Sequence, residues 1–481
     1  MRKRLTIIIL AALSLAANAQ RHVRLDLKRT IELATDSTLT TNRYRSVFDQ
    51  SRWNYMAYIA SRKPQIYLSS SPLEYDHYMV QRYLSDVDRD VYRQQRRLYS
   101  EASVAFTQGI ELLGGTLYGS TGLGFLKNFG EYNYSQFSTV PISIGYKQQL
   151  IGYNALQWQH RIEPLKMEAA KKTLDYQKET TAAAAAEKFF ALALAQQKYR
   201  MAQDNLSQCD TIYAIGKKKF SIASISKAEL LTLEIDRANA QNTLANCRLQ
   251  MARAMSSLAQ CLDMEEGTQI ELAIPTVASG LTISLDEALR YARENNPTYS
   301  TDRRQIAEAE RDLEKARVEN KLNLGFDVKV GLNQVDENLW YSYTHPLMQD
   351  YASVSLTLPL KDWGLGKYKI KAATSALEQT TREALINSRE LDRTVRTAVA
   401  TFNEQEQIVR NTDRTQTIAE KAYQSTFLRF ASGKATVNDI TMAQNRWQTA
   451  MQNYISALQN YWISYFDVRK ITLHDFIDTR R

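Results

Sequence analysis

The stretch that decides the fold is Leu324-Gly-Phe-Asp-Val-Lys-Val-Gly-Leu332, in which every second residue is apolar. The positions between them hold Gly325, Asp327, Lys329 and Gly331. Successive side chains of a β-strand point to opposite faces, so the stretch predicts a strand with one apolar and one polar face. Such alternation over about ten residues is typical of a transmembrane β-barrel strand. A half-buried sheet of a soluble protein gives a similar pattern, and the strands alone do not decide between the two.

The same alternation returns in residues 354–358 and 142–146 and, more weakly, in residues 66–69, and aromatic residues gather near the strand ends. If these strands cross a membrane, the residues expected to face lipid are Ile142, Ile144, Leu324, Phe326, Val328, Val330, Val354, Leu356 and Leu358. Four strands cannot close a barrel around a channel, and open sheet edges are not tolerated in lipid. Several chains would therefore have to pool their strands, and three chains would give twelve.

The chain is an internal duplication. Shifted by 258, residues 27–31 fall on residues 285–289; shifted by 210, Leu150 falls on Leu360 and Tyr213 on Tyr423. The two shifts differ by 48 residues, which places one insertion between about Glu74 and Thr139. Each half therefore predicts a helix, two strands and two long helices, and a repeat of this kind decides the fold.

Two segments of each half predict very long helices. Residues 154–222 and 364–432 contain almost no glycine or proline, and each is followed by a second helical segment, residues 224–263 and 436–472. At 1.5 Å per residue the first of each pair is roughly 100 Å long. Helices of this length need a coiled-coil or tubular setting that buries a narrow stripe along them.

The N-terminus predicts export. A basic start, an apolar run from Leu5 to Ala16 and the small-residue site Ala17-Asn-Ala19 form a signal peptide, so the mature chain is expected to start at Gln20. The mature chain then has 58 Lys and Arg against 52 Asp and Glu, a mild excess spread along helices that does not favour a nucleic-acid partner. The three cysteines show no metal spacing and are expected to be free thiols.

The combination resembles the TolC-like outer-membrane efflux family. Residues 284–297 are similar to the helix that opens the family's repeats, residues 354–364 to its second strand entering the long helix, and residues 430–440 to its helix turn. The insertion and residues 161–166 resemble Bacteroides-type members. The resemblance implies a mixed, mainly α protomer that forms a trimeric β-barrel continued by a periplasmic α-helical tube. It also implies passive export together with a periplasmic adaptor (membrane fusion) protein and an inner-membrane pump of the RND or ABC type.

The resemblance assigns the gate to the two helix turns. Asp439 corresponds to an acidic ring, and Glu229 holds the matching position of the first turn; for both, the alternative is a carboxylate at a helix start. Residues expected to contact the adaptor are Lys219, Phe220, Ile222, Ala223, Ile225, Ser226, Arg429, Phe430, Gly433, Lys434, Thr436 and Val437. Ala223 stands where the family has glycine, so the first turn is expected to differ in backbone shape from the second.

The expected organisation is a signal peptide (1–19), a first repeat (20–263) with an inserted hairpin (76–138), an irregular link (264–283), a second repeat (284–472) and a C-terminal tail (473–481). Residues 82–97, charged and rich in tyrosine, suit an extracellular loop. The inserted hairpin could join the barrel wall, extend above the membrane or fold into the mouth. Isolated histidines and the lack of any nucleophile or phosphate-binding motif predict no enzyme, metal or cofactor. The alternative function is a periplasmic coiled-coil scaffold or adaptor without membrane strands.

Overall fold

The computed structural model describes residues 22–84, 88–111, 113–129, 133–265, 267–275 and 280–477, so the predicted signal peptide lies outside the described residues. The elements in chain order are β1 (His22–Asp26), α1 (Leu27–Asp36), α2 (Leu39–Ser61), β2 (Gln65–Leu84), β3 (Arg89–Ile110), β4 (Gly115–Phe129), β5 (Asn133–Ile151), α3 (Ala155–Ser221), α4 (Lys227–Cys261), β6 (Gln269–Ala273), α5 (Leu285–Asn295), α6 (Pro297–Glu319), β7 (Asn323–Asp336), α7 (Leu339–Thr344), β8 (Leu347–Thr357), α8 (Leu365–Ala431) and α9 (Val437–Thr472). Among the described residues, no helix has both the length and the apolar character required to cross a membrane.

The elements fall into two compact units. One contains Asp49–Ala169 and Ser300–Leu385, and the other contains the residues up to Phe48 together with Ala170–Tyr299 and the chain from Ile386 onward. The first unit holds the large sheet, and the second holds most of the long helices with both helix turns.

The first unit contains a six-stranded antiparallel sheet in the order β2-β3-β4-β5-β7-β8. Its register pairs Ile144 with Val330 and Phe326 with Val354, so the apolar residues singled out in β5, β7 and β8 share one face. Leu358 is an exception, because β8 ends at Thr357. The prediction of a strand position at residue 358 is therefore wrong by one residue, where the chain runs into Pro359.

The insertion adds strands to this sheet. β3 and β4 lie between β2 and β5 and pair along most of their length. The prediction of a loop at residues 82–97 is wrong, because β2 and β3 stay paired as far as Leu84 and Arg89. Cross-strand partners such as Asp76 and Arg97, whose carboxylate and guanidinium lie 2.6 Å apart, hold this charged ribbon in strand form.

The long helices have matching lengths at the two positions that the duplication relates. α3 and α8 contain 67 residues each, and the helices that follow them contain 35 and 36. The predicted bounds are correct to within three residues at each end. The opening helix of each repeat is instead a pair, α1 with α2 and α5 with α6.

The core of the helical unit is aromatic. Phe189, Phe402, Tyr461 and Tyr465 are almost fully buried, and the rings of Phe402 and Tyr461 lie 5.3 Å apart. Each such ring buries a large apolar area, so the rings contribute strongly to the stability of this part of the protein. The half-buried Arg469 guanidinium donates to Glu179 and to Asp475, which fixes the chain beyond α9.

The inter-repeat link is not wholly irregular. Its residues Gln269–Ala273 form β6, which pairs in parallel with β1 from the start of the first repeat. The missed signal is the alternation of Ile270 and Leu272 with polar neighbours. All three cysteines are described, each as a free thiol, as expected.

Candidate functional site

The two helix turns between the long helices have the same backbone. In the first turn, Ser224 N–H donates to Lys219 O at 2.8 Å and Ala223 N–H to Phe220 O at 2.9 Å. In the second, Lys434 N–H donates to Arg429 O at 2.8 Å and Gly433 N–H to Phe430 O at 3.1 Å. These are the paired bonds of a Schellman C-cap, with the residue in the left-handed region offset by 210 between repeats.

The predicted difference between the turns is therefore wrong. Ala223 has a φ of 55° and Gly433 a φ of 78°, so alanine adopts the conformation that glycine adopts in the second turn. The backbone hydrogen bonds of the turn outweigh the steric cost of the alanine Cβ. That cost is about 1–2 kcal/mol for an L-residue in the left-handed region.

Each candidate gate carboxylate caps the helix that follows the turn. Glu229 Oε2 accepts from Ser226 N–H at 2.7 Å, and Asp439 Oδ2 accepts from Thr436 N–H at 2.9 Å. Backbone N–H groups of Glu229 and Asp439 donate in return to the Ser226 and Thr436 hydroxyls, which completes a capping box in each repeat.

These bonds also set the charge of the two groups. The Thr436 backbone N–H, the Thr436 hydroxyl and then Arg429 lower the pKa of the Asp439 carboxyl. The Ser226 backbone N–H and hydroxyl lower the pKa of Glu229 in the same way. Asp439 is exposed and Glu229 is partly exposed, and with their lowered pKa values both are ionised at neutral pH. The capping role and a role in a pore are compatible, because each carboxylate keeps lone pairs that face solvent.

Asp439 also lines a groove between α8 and α9. Arg429, Met442 and Arg446 line the same groove. The groove thus carries one carboxylate and two guanidinium groups. Met442, three residues after Asp439, is uncharged, so Asp439 has no second carboxylate beside it at that position.

The two turns differ in what lies beneath them. Phe430 is 1% exposed and Val437 is 5% exposed, and both belong to a core with Ile212, Leu233 and Ile440. These two side chains are therefore unavailable to a partner, and the expectation that they contact an adaptor does not fit their placement. The other expected contact residues are exposed or half-buried at the turn surface: Lys219, Phe220, Ile222, Ala223, Ile225, Ser226, Arg429, Gly433, Lys434 and Thr436.

Polar contacts connect the two helical hairpins near the turns. The Lys219 ammonium donates to Phe430 O at 2.6 Å and lies 4.3 Å from the centre of the Phe430 ring. Farther along, the Thr441 hydroxyl donates to Asp236 at 3.3 Å and the Gln448 amide to Asn205 at 2.6 Å. Burial raises the pKa of Asp236, which the Thr441 hydrogen bond partly offsets.

These connecting residues were not singled out from the sequence. Asn205 and Asp236 are single polar residues on long helices, and such residues are ordinarily expected to face solvent. The useful signal was the spacing of Gln444 and Gln448, which places two amides on one helix face. Among the described residues, no group of three His, Cys, Asp or Glu side chains could hold a metal ion.

The polar face of the sheet forms the other candidate surface. Asp327 and Lys329 share this face of β7, opposite Ser353 and Tyr351 of β8. The Tyr118 hydroxyl of β4 donates to Asp327 across β5. The arrangement gives one apolar and one polar surface to the same sheet, as expected of a wall between lipid and water.

Residues 288–472 match the family model described as Outer membrane efflux protein. The fold is similar to that of the outer membrane protein VceC from Vibrio cholerae, with a TM-score of 0.68, 12% identity and coverage of 94% of this chain and 96% of that one. The CmeC outer membrane channel of Campylobacter jejuni gives a TM-score of 0.67 at 12% identity, with coverage of 94% and 88%. The MtrE outer membrane channel of Neisseria gonorrhoeae, in its open state, gives 0.58 at 13%, with coverage of 93% and 88%. No curated protein sequence matches closely enough to add to this comparison.

Proposed function

We propose that this chain, a member of the TolC-like outer membrane efflux protein family, forms a trimeric channel in the outer membrane of a Gram-negative bacterium. The channel extends into the periplasm and exports solutes passively. One observation carries the proposal: a sheet with one apolar and one polar face is joined, through α3 and α8, to two long helical hairpins. A wall that separates lipid from water, continued by helices, is the arrangement that an export duct requires.

Self-association follows from the sheet. Within the described residues, the outer edges of β2 and β8 are unpaired, and unpaired backbone groups cannot remain in lipid. Three copies related by rotation would pair each edge with a neighbour and close the wall.

The partners are a periplasmic adaptor and an inner-membrane pump, of the RND or ABC type. In this proposal the duct is a passive passage, and the pump drives transport. The exposed apolar residues at the first turn support a docking role there, because Ile222 is 75% exposed and Phe220 is 41% exposed. Such residues at a helix turn are suited to contact another protein.

Asp439 forms the charged ring of the periplasmic entrance in this proposal. Three copies of the second turn around a threefold axis would bring three ionised carboxylates to one opening. Like charges in a narrow mouth attract cations and repel anions. Arg429 and Arg446 in the same groove moderate the field of each carboxylate.

The assembly is tested by mass measurement in mild detergent and by washing membranes with carbonate. The expected result is a trimer that stays in the membrane fraction. A stable monomer that washes off would instead support a periplasmic scaffold.

The gate is tested with Asp439→Asn in single-channel recordings. Asparagine retains an oxygen that can accept the Thr436 hydrogen bonds, so the cap is kept while the charge is removed. The expected result is lower cation selectivity and weaker block by multivalent cations. The matched control is Glu229→Gln at the first turn, where we expect a smaller change. Unchanged selectivity of an assembled Asp439→Asn trimer would reduce this residue to its capping role.

A further inference from the structure

The first repeat contains two strands that the second lacks. β3 and β4 lie inside the hydrogen-bonded sheet, between β2 and β5, which are the strands derived from the repeat. We propose that β3 and β4 are wall strands of the channel, so that each copy contributes six strands and three copies form a wall of 18. The inference rests on the proposed function and concerns how the wall is built.

One apolar row of the sheet continues across the inserted strands. One row of the sheet runs Ile66, Phe106, Gly119, Ile144 and Val330, each residue paired with the next. Ile66 and Val330, at opposite ends of this row, are 73% and 48% exposed. A hairpin that lay in the channel mouth or above the membrane would have no reason to match the apolar row of the strands beside it.

The polar face continues in the same way. The next row runs Gln65, Thr107, Tyr118, Gly145 and Lys329. A Cβ on Gly145 would lie 2.4 Å from the Cζ atom of the Tyr118 ring, so the ring passes over this glycine. The Tyr118 hydroxyl thereby reaches Asp327 on β7. An inserted strand is thus bonded to a second-repeat strand across β5, which a detached hairpin could not achieve.

The sheet edges fit a second copy of this chain. Residues 65–71 of β2 contain no charged residue and no proline, and β8 contains a single charge, Asp350. Exposed edge strands usually carry lysine, proline or bulges that block pairing. Residues 65–71 of β2 and the whole of β8 carry none of these; Pro72 and the register shift of β2 come after residue 71. The six strands alternate in direction, so β8 of one copy is antiparallel to β2 of the next, and the wall closes with regular pairing.

The strand number sets the width of the wall. Barrel diameter grows roughly linearly with the number of strands, so 18 strands give about 1.5 times the diameter of 12. Barrels of 16 to 18 strands leave an open aqueous channel. The constriction of this duct would then lie at the helix turns and not at the barrel.

Paired arginine substitutions test the wall position of β3. Val104→Arg places a charge on the apolar face of the sheet. Ser103→Arg, at the neighbouring residue, places the same charge on the polar face. We expect Val104→Arg to reduce the yield of trimer in membranes roughly 30-fold or more, as Val330→Arg does in the same experiment, with Ser103→Arg close to wild type. Equal yields from Val104→Arg and Ser103→Arg, with Val330→Arg impaired, would overturn the proposal.

Electron cryomicroscopy of the full chain in nanodiscs counts the strands directly. A trimer with 18 wall strands supports the inference. A trimer with 12 wall strands overturns it and leaves the proposed function in place. A different copy number, with six strands from each copy, supports the six-strand contribution and overturns the trimer.

Cysteine pairs test the closing edge. In a chain whose native cysteines are replaced by alanine, Ser69→Cys is combined with cysteine at each position of β8 in turn. We expect at least one combination to link separate copies into a covalent trimer. The absence of any linked species across the whole scan would overturn the pairing of β8 with β2.

Discussion

Ala223 occupies a backbone conformation that favours glycine, and this gives a prediction at the scale of one residue. We expect Ala223→Gly to stabilise the protein by about 0.5–1 kcal/mol, because relief of left-handed strain exceeds the extra chain entropy of glycine. The reverse change, Gly433→Ala, should destabilise it by about 1 kcal/mol. Among the described residues nothing lies within 4 Å of a Cβ built on Gly433, so only backbone strain changes there. The thermal midpoint of the assembled protein measures both effects.

The control for this pair is Ala431→Gly. Ala431 is the last residue of α8 and lies in helical conformation, where glycine costs stability and relieves no strain. A lower midpoint for Ala223→Gly, similar to that of the control, would show that the first turn does not hold Ala223 in the left-handed region.

The two capping carboxylates predict a dependence of stability on acid. Each pKa is lowered in the folded protein, so each ionised group adds stability above its ordinary pKa and loses it as the pH falls through the lower folded value. The loss should begin near the ordinary values of 4.5 for Glu229 and 3.8 for Asp439 and deepen below them. In the variant with Glu229→Gln and Asp439→Asn, the thermal midpoint should change less with pH over this range. Melting curves of the two proteins, recorded in parallel at each pH, measure the difference. If the thermal midpoint of the double variant fell with pH as steeply as that of the wild type, the prediction would be contradicted.

The sequence located the turns, but it did not reveal the contacts of each residue there. The offset of 210 aligned Phe220 with Phe430, yet one is exposed and the other is buried. The difference arises because Phe430 packs against Ile212 and Leu233 of the other hairpin. Such contacts between segments far apart in sequence leave no mark in local periodicity, whereas the capping residues Ser226 and Thr436 do.

At the scale of elements, Lys219 connects one helical hairpin to the end of another helix. Its ammonium donates to the Phe430 carbonyl, which lies in the last turn of α8. Lys219→Met should loosen the second turn and raise amide exchange at residues 429–436, as measured by mass spectrometry. The matched control is Lys218→Met, because Lys218 is exposed in the same run of lysines. Equal amide exchange in the two variants would mean that Lys219 does not stabilise the second turn and is an ordinary solvated lysine.

The strands give a second prediction at this scale. Val328 lies on the apolar face of the sheet, and Ser353 lies on the polar face opposite Asp327. Val328→Arg should impair assembly by about 2–4 kcal/mol per chain if it lies near the middle of the membrane. Ser353→Arg should assemble normally, because its charge would face water and Asp327. Heat-stable trimer on gels measures both, and similar damage from the two changes would mean that the faces are assigned wrongly.

Element type was predictable where the pattern was long. The two 67-residue helices follow from long segments with almost no glycine or proline, and the strands β7 and β8 follow from the alternation of apolar and polar residues. β3 was missed in its charged half, because a stretch rich in arginine and glutamine suits a solvated loop as well as an exposed ribbon. β1 and β6 are five residues each and stabilise one another only as a pair, so neither was evident alone.

At the scale of the whole molecule, duplication explains why so much of the architecture follows from the sequence. Two copies of one pattern give two chances to detect each element, and the offsets relate corresponding positions directly. The insertion has no counterpart in the second repeat, and its place in the sheet depends on pairing that only the structure describes. The number of strands in a closed wall is therefore the property that the repeat predicts least well.

The unpaired edges of β2 and β8 have a consequence for inheritance. A copy whose edge strand is damaged can still pair through its other edge, so it would enter assemblies and leave each of them open. If half of the chains in a cell carried such a lesion, only about one eighth of randomly assembled trimers would contain three sound copies. In a bacterium that carries a second, intact copy of the gene, edge-strand alleles should therefore be dominant, whereas alleles that prevent folding of the chain should be recessive.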